Sequence, residues 1–393
     1  MSVATEGTET AHAAEEPFSL LPTGGFFTRL ESRLGFDPRK HPIAQQGARV
    51  ASYLLITWVA PMVLASVEPA RHGALSFMAD FETHLRSLVA IPLLLFAESR
   101  VDREVKYIVR SLGSPRRCRN SEGLRARVRS LRPLIEHPLV GAGLVLLALL
   151  IVPTWIRHHT SGRETWIFVN GARPTLTAAG TWQSYVVVPV YVFLLLRWLW
   201  RWLVLMLVFA RSASLLRPIV SHGDRCGGFS FVSRAPGQFA WVIAGASSLV
   251  SARWLFAVVC DGVPAAAVTK PMLGILILSV LIAFFPLLGF AFHFAQAKRS
   301  GLRHYRAVVE GHARNVEREW FRRPFPAHVT SEESSSLTDL NSVYDVVRTM
   351  QIIPYRRAQV SIVLLAAIIP MLPVLSFIAP IDEILRGVFK ALL

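Results

Sequence analysis

The sequence predicts an all-α polytopic membrane protein with about seven transmembrane helices, six if one weak span is not real, and amphipathic helices on the cytoplasmic side. Three observations predict it. Met272 to Ala297 is a run of 26 residues with no acidic or basic side chain, His293 being ordinarily neutral. At about 1.5 Å per residue, about 20 helical residues cross the apolar core of a bilayer. Several similar runs alternate with Arg-rich segments. The chain of 393 residues is 52% apolar and only 17% charged, with mean hydropathy +0.42, far from the balance of a soluble domain.

The spans read, in order, as about Gly47–Val67, Phe81–Ala97, His137–Ile156, Trp182–Phe209, Gln238–Val259, Met272–Ala295 and Val360–Ala379. Two are weak. The second is short and carries His84 and Arg86 at its start; the fifth carries Ser247, Ser248, Ser251 and Arg253. Ala244, Ser248 and Ala252 of the fifth recur at spacing four, a small-residue face suited to close helix packing. Residues 1–46 read as a disordered acidic tail followed by a basic juxtamembrane segment. Residues 47–380 form the membrane domain and 381–393 a short outer tail. The first 16 residues hold no basic region leading into an apolar stretch, so no cleavable signal peptide is expected.

Orientation follows from Lys and Arg. Of the 42, 31 fall before the first span (Arg49 included) or in the gaps 98–136, 210–237 and 296–359; seven fall in the other gaps and the C-terminal tail. This places the N-terminus in the cytoplasm and the C-terminus outside. The alternation requires both weak spans to cross. The net charge of +16 flanks apolar runs instead of lining one soluble face, which argues against nucleic acid and for the lipid bilayer as the first partner.

The cytoplasmic segments carry helical stripes: Val101, Val105, Ile108 and Leu112 after the second span, and Leu302, Tyr305, Val309, Val316 and Trp320 after the sixth, stopped by Pro324 and Pro326. Ser336, three residues before Asp339, is expected to cap a further helix with the stripe Leu337, Leu340, Val347 and Met350. These stripes pack on one another, lie at headgroups, or form a platform for a partner.

Chemistry is sparser. Ser221-His222-Gly223-Asp224-Arg225-Cys226-Gly227-Gly228 is the densest polar segment. His222 and Asp224 suit a base with its orienting carboxylate, or two metal ligands with Cys226. Gly227 and Gly228 suit an anion-binding nest. A tight turn satisfied by local backbone accounts for the same residues. Arg197 and Arg201, four apart, share one face of the fourth span and must snorkel, pair with an acid, or bind an anion. Glu98 is the candidate acid, and Arg253 is a candidate for helix-to-helix bonding or a polar pathway. His84 and Arg86 are expected at the outer interface. Cys118, Cys226 and Cys260 are odd in number and scattered, which supports neither a disulfide framework nor a thiolate metal site. No P-loop, HExxH, GxSxG or dinucleotide fingerprint is present, and neither a cofactor nor a metal is expected.

The segment RWLWRWLVLMLVFARSASLLRPIVSHGDRCGGFSFV, with PFSLLPTGGFFTRL, HLRSLVAIPLLLFAES and SSSLTDLNSVYDVVRTM in the same order, resembles an uncharacterised group of bacterial multi-pass inner-membrane proteins. In that group a Trp/Arg-rich span leads into a cytoplasmic His-Pro-Asp-x-x-Gly-Gly motif. The motif falls here on His222, Asp224, Gly227 and Gly228, with Gly223 in place of proline. The resemblance implies an inner-membrane location and supplies no reaction.

The expected function is therefore a non-enzymatic multi-pass protein whose basic inner face binds an anionic ligand, lipid headgroup or partner. It would use Arg197, Arg201, His222, Asp224, Gly227 and Gly228. Two alternatives stand beside it. One is a transporter of a small anion, with Arg253 and Glu98 on its path; the other is a membrane enzyme acting on a lipid-linked or phosphorylated substrate through His222 and Asp224.

Overall fold

A computed structural model describes residues 19–20, 42–67, 77–159, 166–169, 175–322 and 331–378. The acidic tail, the prolines at 324 and 326, and the C-terminal tail lie outside these. The described chain is almost wholly helical. We number its helices α1 (42–67), α2 (81–112), α3 (Ser121–Arg129), α4 (138–159), α5 (178–213), α6 (230–259), α7 (265–322), α8 (Ser331–Thr349) and α9 (357–375). The strand pair β1 (Phe168–Val169) and β2 (Thr175–Leu176) is antiparallel, between α4 and α5.

Among the described residues, six helical stretches are long and apolar enough to cross a membrane: Gln46–Val67, Pro138–Arg157, Ala178–Ala213, Ser230–Val259, Ala265–Arg318 and Arg357–Leu375. The Ser-rich span, weak on sequence, is among them. Phe81–Ala97 is not. Glu82, His84, Arg86 and Glu98 lower its apolarity, and its place in the bundle explains why it tolerates them. α2 lies inside, against α1, α5 and the length of α6. It runs antiparallel to α6: Glu104 pairs with Arg234 at 3.2 Å, Arg100 stacks over Trp241, and the Ala90 carbonyl lies against Gly245. A side chain at Gly245 would meet that carbonyl oxygen at 3.2 Å. The missing Cβ is therefore what lets the two backbones meet mid-bundle. The close contact with α2 falls on Gly245, beside the stripe of Ala244, Ser248 and Ala252.

The core follows from this placement. Ala90, Ile91, Leu94, Val101, Val105 and Ile108 of α2 join Trp198, Trp202, Leu205 and Phe209 of α5 and Phe239 of α6 in one buried cluster. Trp198 and Trp202 satisfy their indole N–H groups on the carbonyls of Leu94 (3.0 Å) and Ile282 (2.8 Å), so both rings are buried without stranding a donor. α7 is the longest element, roughly 85 Å at 1.5 Å per residue, and its second half extends past the other spans to pack with α8.

The expected cap at Ser336 is corrected. The helix begins at Ser331. Ser336 lies one turn inside, its hydroxyl 2.9 Å from His312 Nε2.

Candidate functional site: a buried arginine cluster

α1, α2 and α5 each bring charge to one point. Glu98 of α2 is 4% exposed, Arg197 of α5 9%, and Arg201 2%. Spacing four on α5 puts both arginines on one face, and the apolar remainder of that face buries them against α2. Glu98 Oε1 accepts from Arg197 Nη2 at 2.7 Å and from Arg201 Nη1 at 2.8 Å. Its Oε2 accepts from Arg49 Nη1 of α1 at 2.5 Å. The Arg201 guanidinium also stands 5.3 Å from the centre of the Trp198 ring, a cation–π geometry. Arg197 and Arg201 do not snorkel; they turn inward onto a shared carboxylate.

The cluster is unbalanced. Arg197 and Arg201 share a single carboxylate oxygen, and Arg197 Nη1 and Arg201 Nη2 are buried with no hydrogen-bond partner. A buried charge is tolerable only when paired and hydrogen-bonded, and these two nitrogens have no second carboxylate among the described residues. Asp102, one turn along α2, does not supply it: its Oδ1 accepts from Ser19 Oγ (2.7 Å) and the Leu20 amide (2.9 Å), and its Oδ2 pairs with Lys106 at 2.7 Å.

The 221–228 turn is arranged in the opposite way. Asp224 Oδ1 accepts from the amides of Cys226 (2.9 Å) and Gly228 (3.0 Å), and Oδ2 from the Ser230 amide (3.2 Å). His222 Nδ1 is 2.9 Å from Asp224 Oδ1. Arg225, Gly227 and Gly228 have φ of 53°, 66° and 88°, so the amides curl inward as in a nest, but the Asp224 side chain fills it. Burial disfavours the charge on Asp224; the amides of Gly228, Cys226 and Ser230, with His222, outweigh it and hold the carboxyl below its usual range. Cys226 is buried beside this carboxylate, which pushes its thiol up to about 11, and its Sγ lies 3.4 Å from Gln351 Oε1. The turn is also a junction. Arg225 O accepts from the Gln351 amide (2.7 Å), and residues 215–217 pair with 117–119 through two backbone bonds of 2.8 Å. Lys298 of α7 closes on Met350 O at 2.8 Å.

The structure thus brings Glu98, Arg197 and Arg201 together and leaves His222, Asp224, Gly227 and Gly228 as a separate group. Arg253 joins neither: it is exposed, 6.0 Å from the Phe256 ring centre. Arg49 was missed because it reads as one more basic flank of the first span. Arg86, expected at the interface, is 2% exposed and lies inside the bundle. Among the described residues no group of three or more His, Cys, Asp or Glu is placed to hold a metal. No family model, curated protein or solved structure matches this chain.

Proposed function

We propose that the chain is a bacterial inner-membrane protein that binds an anion at the Arg49–Glu98–Arg197–Arg201 cluster, near the cytoplasmic end of its spans. The observation that carries this reading is the pair of buried guanidinium nitrogens, on Arg197 and Arg201, that the single carboxylate leaves without partners. Arginine is the side chain suited to gripping a carboxylate or phosphate in a planar fork. The orientation that agrees is N-terminus inside and C-terminus outside, with α2 as a crossing antiparallel to α6. The Asp224 turn enters as a structural junction: its carboxylate is committed to backbone amides, which supports binding elsewhere over catalysis there.

The test is mass spectrometry of lipids and small anions that co-purify with the full-length protein. It is run beside the Arg197→Lys/Arg201→Lys variant. Lysine keeps the charge and loses the fork, so the co-purifying anion should fall by roughly 1–3 kcal/mol of binding per lost contact with membrane insertion unchanged. Full retention of the anion by that variant removes the pair from the site. Orientation needs an added cysteine, because Cys118 and Cys226 are buried and only Cys260 is exposed. An impermeant thiol reagent should label Cys260 from outside and reach an Arg116→Cys variant only after lysis. Labelling of that variant in intact cells, with the outer membrane opened, refutes the orientation.

A further inference from the structure

The inner half of α7 is one unbroken helix from Leu288 to Arg322, and from Lys298 onwards it carries charge every few residues. That part is roughly 36 Å long at 1.5 Å per residue, and α8 returns along it. Lys298 Nζ on Met350 O and the 2.9 Å contact between His312 and Ser336 set the register. Arg303 and Asp345 therefore stand at about one height on this antiparallel hairpin.

The hairpin has little core of its own. Among its described side chains between Ser300 and Thr349, only Val316 and Val347 are buried. Val308 of α7 is 43% exposed, and Val343 and Val346 of α8 are half-buried. Helices in proteins are held chiefly by burying an apolar face, and two buried valines supply little of that. A hairpin built this way gains from a further layer of helix.

Charge identifies that layer. From Lys298 to Arg322, α7 holds seven basic and three acidic residues, whereas α8 holds four acidic and one basic. Arg306 is occupied by Glu310, and Asp345 by Arg348 at 3.6 Å, each within its own helix. Arg303, Arg314 and Arg318 of α7 and Asp339 of α8 are exposed, with no ion-pair partner among the described residues. A hairpin with one positive and one negative helix is complementary to itself. Two copies in one membrane share its normal. A two-fold axis along that normal sets α7 of each copy antiparallel to α8 of the other, with opposite charges facing. The axis also preserves height, so Arg303 of one copy comes level with Asp345 of the other. We propose that the α7–α8 hairpins of two copies pair about this axis into a four-helix bundle, which makes the protein a homodimer.

The experiment weighs the purified full-length protein in detergent by light scattering, with the detergent subtracted. The wild type should be a dimer at low salt. Its dissociation constant should rise about tenfold or more in about 1 M salt, where the Debye length is only about 3 Å. Reversing charge on α7 with Arg303→Glu/Arg314→Glu, or on α8 with Asp339→Lys/Asp345→Lys, should give monomers, because like charges then meet. An equimolar mixture of the two variants should dimerise again, since each supplies the sign that the other lacks. The salt series on the wild type carries the test if either variant fails to fold. A monomeric wild type, a dimer indifferent to salt, folded variants that dimerise alone, or a mixture that stays monomeric overturns the proposal.

Discussion

The buried arginine cluster and the 221–228 turn are both polar sites near the same end of the spans, and they are satisfied in opposite ways. In the turn, one carboxylate meets three backbone amides and a histidine, so its capacity is filled from within nine residues of chain. In the cluster, three arginines from two helices share one carboxylate from a third, and donors are left over. A polar group filled by its own backbone stabilises a loop. One left short by distant partners is poised for something else. The difference is chemical capacity, and density of polar residues along the sequence does not report it.

The largest effect that can break this contrast is at Glu98. Replacing it with Ala strands the buried guanidinium groups of Arg197 and Arg201, and breaking a buried ion pair costs about 3–5 kcal/mol. Glu98→Ala should therefore unfold or fail to insert, and high phosphate should partly rescue its thermal midpoint in detergent by supplying the missing anion. A stable Glu98→Ala protein that is indifferent to phosphate would mean that the arginines find other partners, and the contrast would fail.

Asp224→Asn asks the same of the turn, with a smaller expected loss. An amide oxygen can replace one acceptor but not two charged ones, so about 1–3 kcal/mol should go. Anion binding at Arg197 and Arg201 should stay unchanged. If binding falls along with stability, the two regions are not separable.

Much of this fold was legible because hydropathy and charge report it directly. Met272 to Ala297 reads as a span on composition alone, and the Arg-rich gaps mark one side. The α2 helix was harder, because a helix whose charged side chains pair inside the bundle need not be uniformly apolar, and Glu82, Arg86 and Glu98 disguise it. Glu98 with Arg197 and Arg201 was legible as a pairing, since spacing four and a nearby acid constrain the choice. Arg49 was not, since a basic residue before a span has an ordinary topological explanation. The burial of Arg86 was hidden as well. It sits in one of three π turns, and no residue pattern in α1, α2 or α5 announces that extra residue per turn.

Gly227→Ala sharpens the account of the turn. Its φ of 66° is left-handed, and an added Cβ would come within 2.9 Å of Pro218 Cβ and 3.1 Å of Met350 Cε. The backbone conformation alone costs about 1–2 kcal/mol, so the thermal midpoint should fall measurably. Gly223 has nothing within 4 Å of its would-be Cβ, and Gly223→Ala should be close to neutral. A reversed order would show that the turn does not hold this conformation.

The smallest effect is at Cys226. A thiol raised to about 11 keeps its proton in the folded protein where a free cysteine, near 8.5, would lose it. Proton binding is therefore stronger in the folded state, so the stability this contributes is present below about pH 8.5 and is lost as pH rises towards 11. For Asp224 the sign is reversed: its carboxyl is lowered, so its contribution is present above about pH 4 and disappears as pH falls through its folded value. The measurement is alkylation of Cys226 in a Cys118→Ser/Cys260→Ser background. Its rate should keep climbing past pH 8.5 instead of levelling there. Burial is the larger cause of the raised thiol and the Asp224 charge the second, so Asp224→Asn should move the rise partway back towards lower pH. A rate that levels near 8.5 in the wild type would mean that Cys226 is not packed beside that carboxylate, and would reopen the turn as a reactive site.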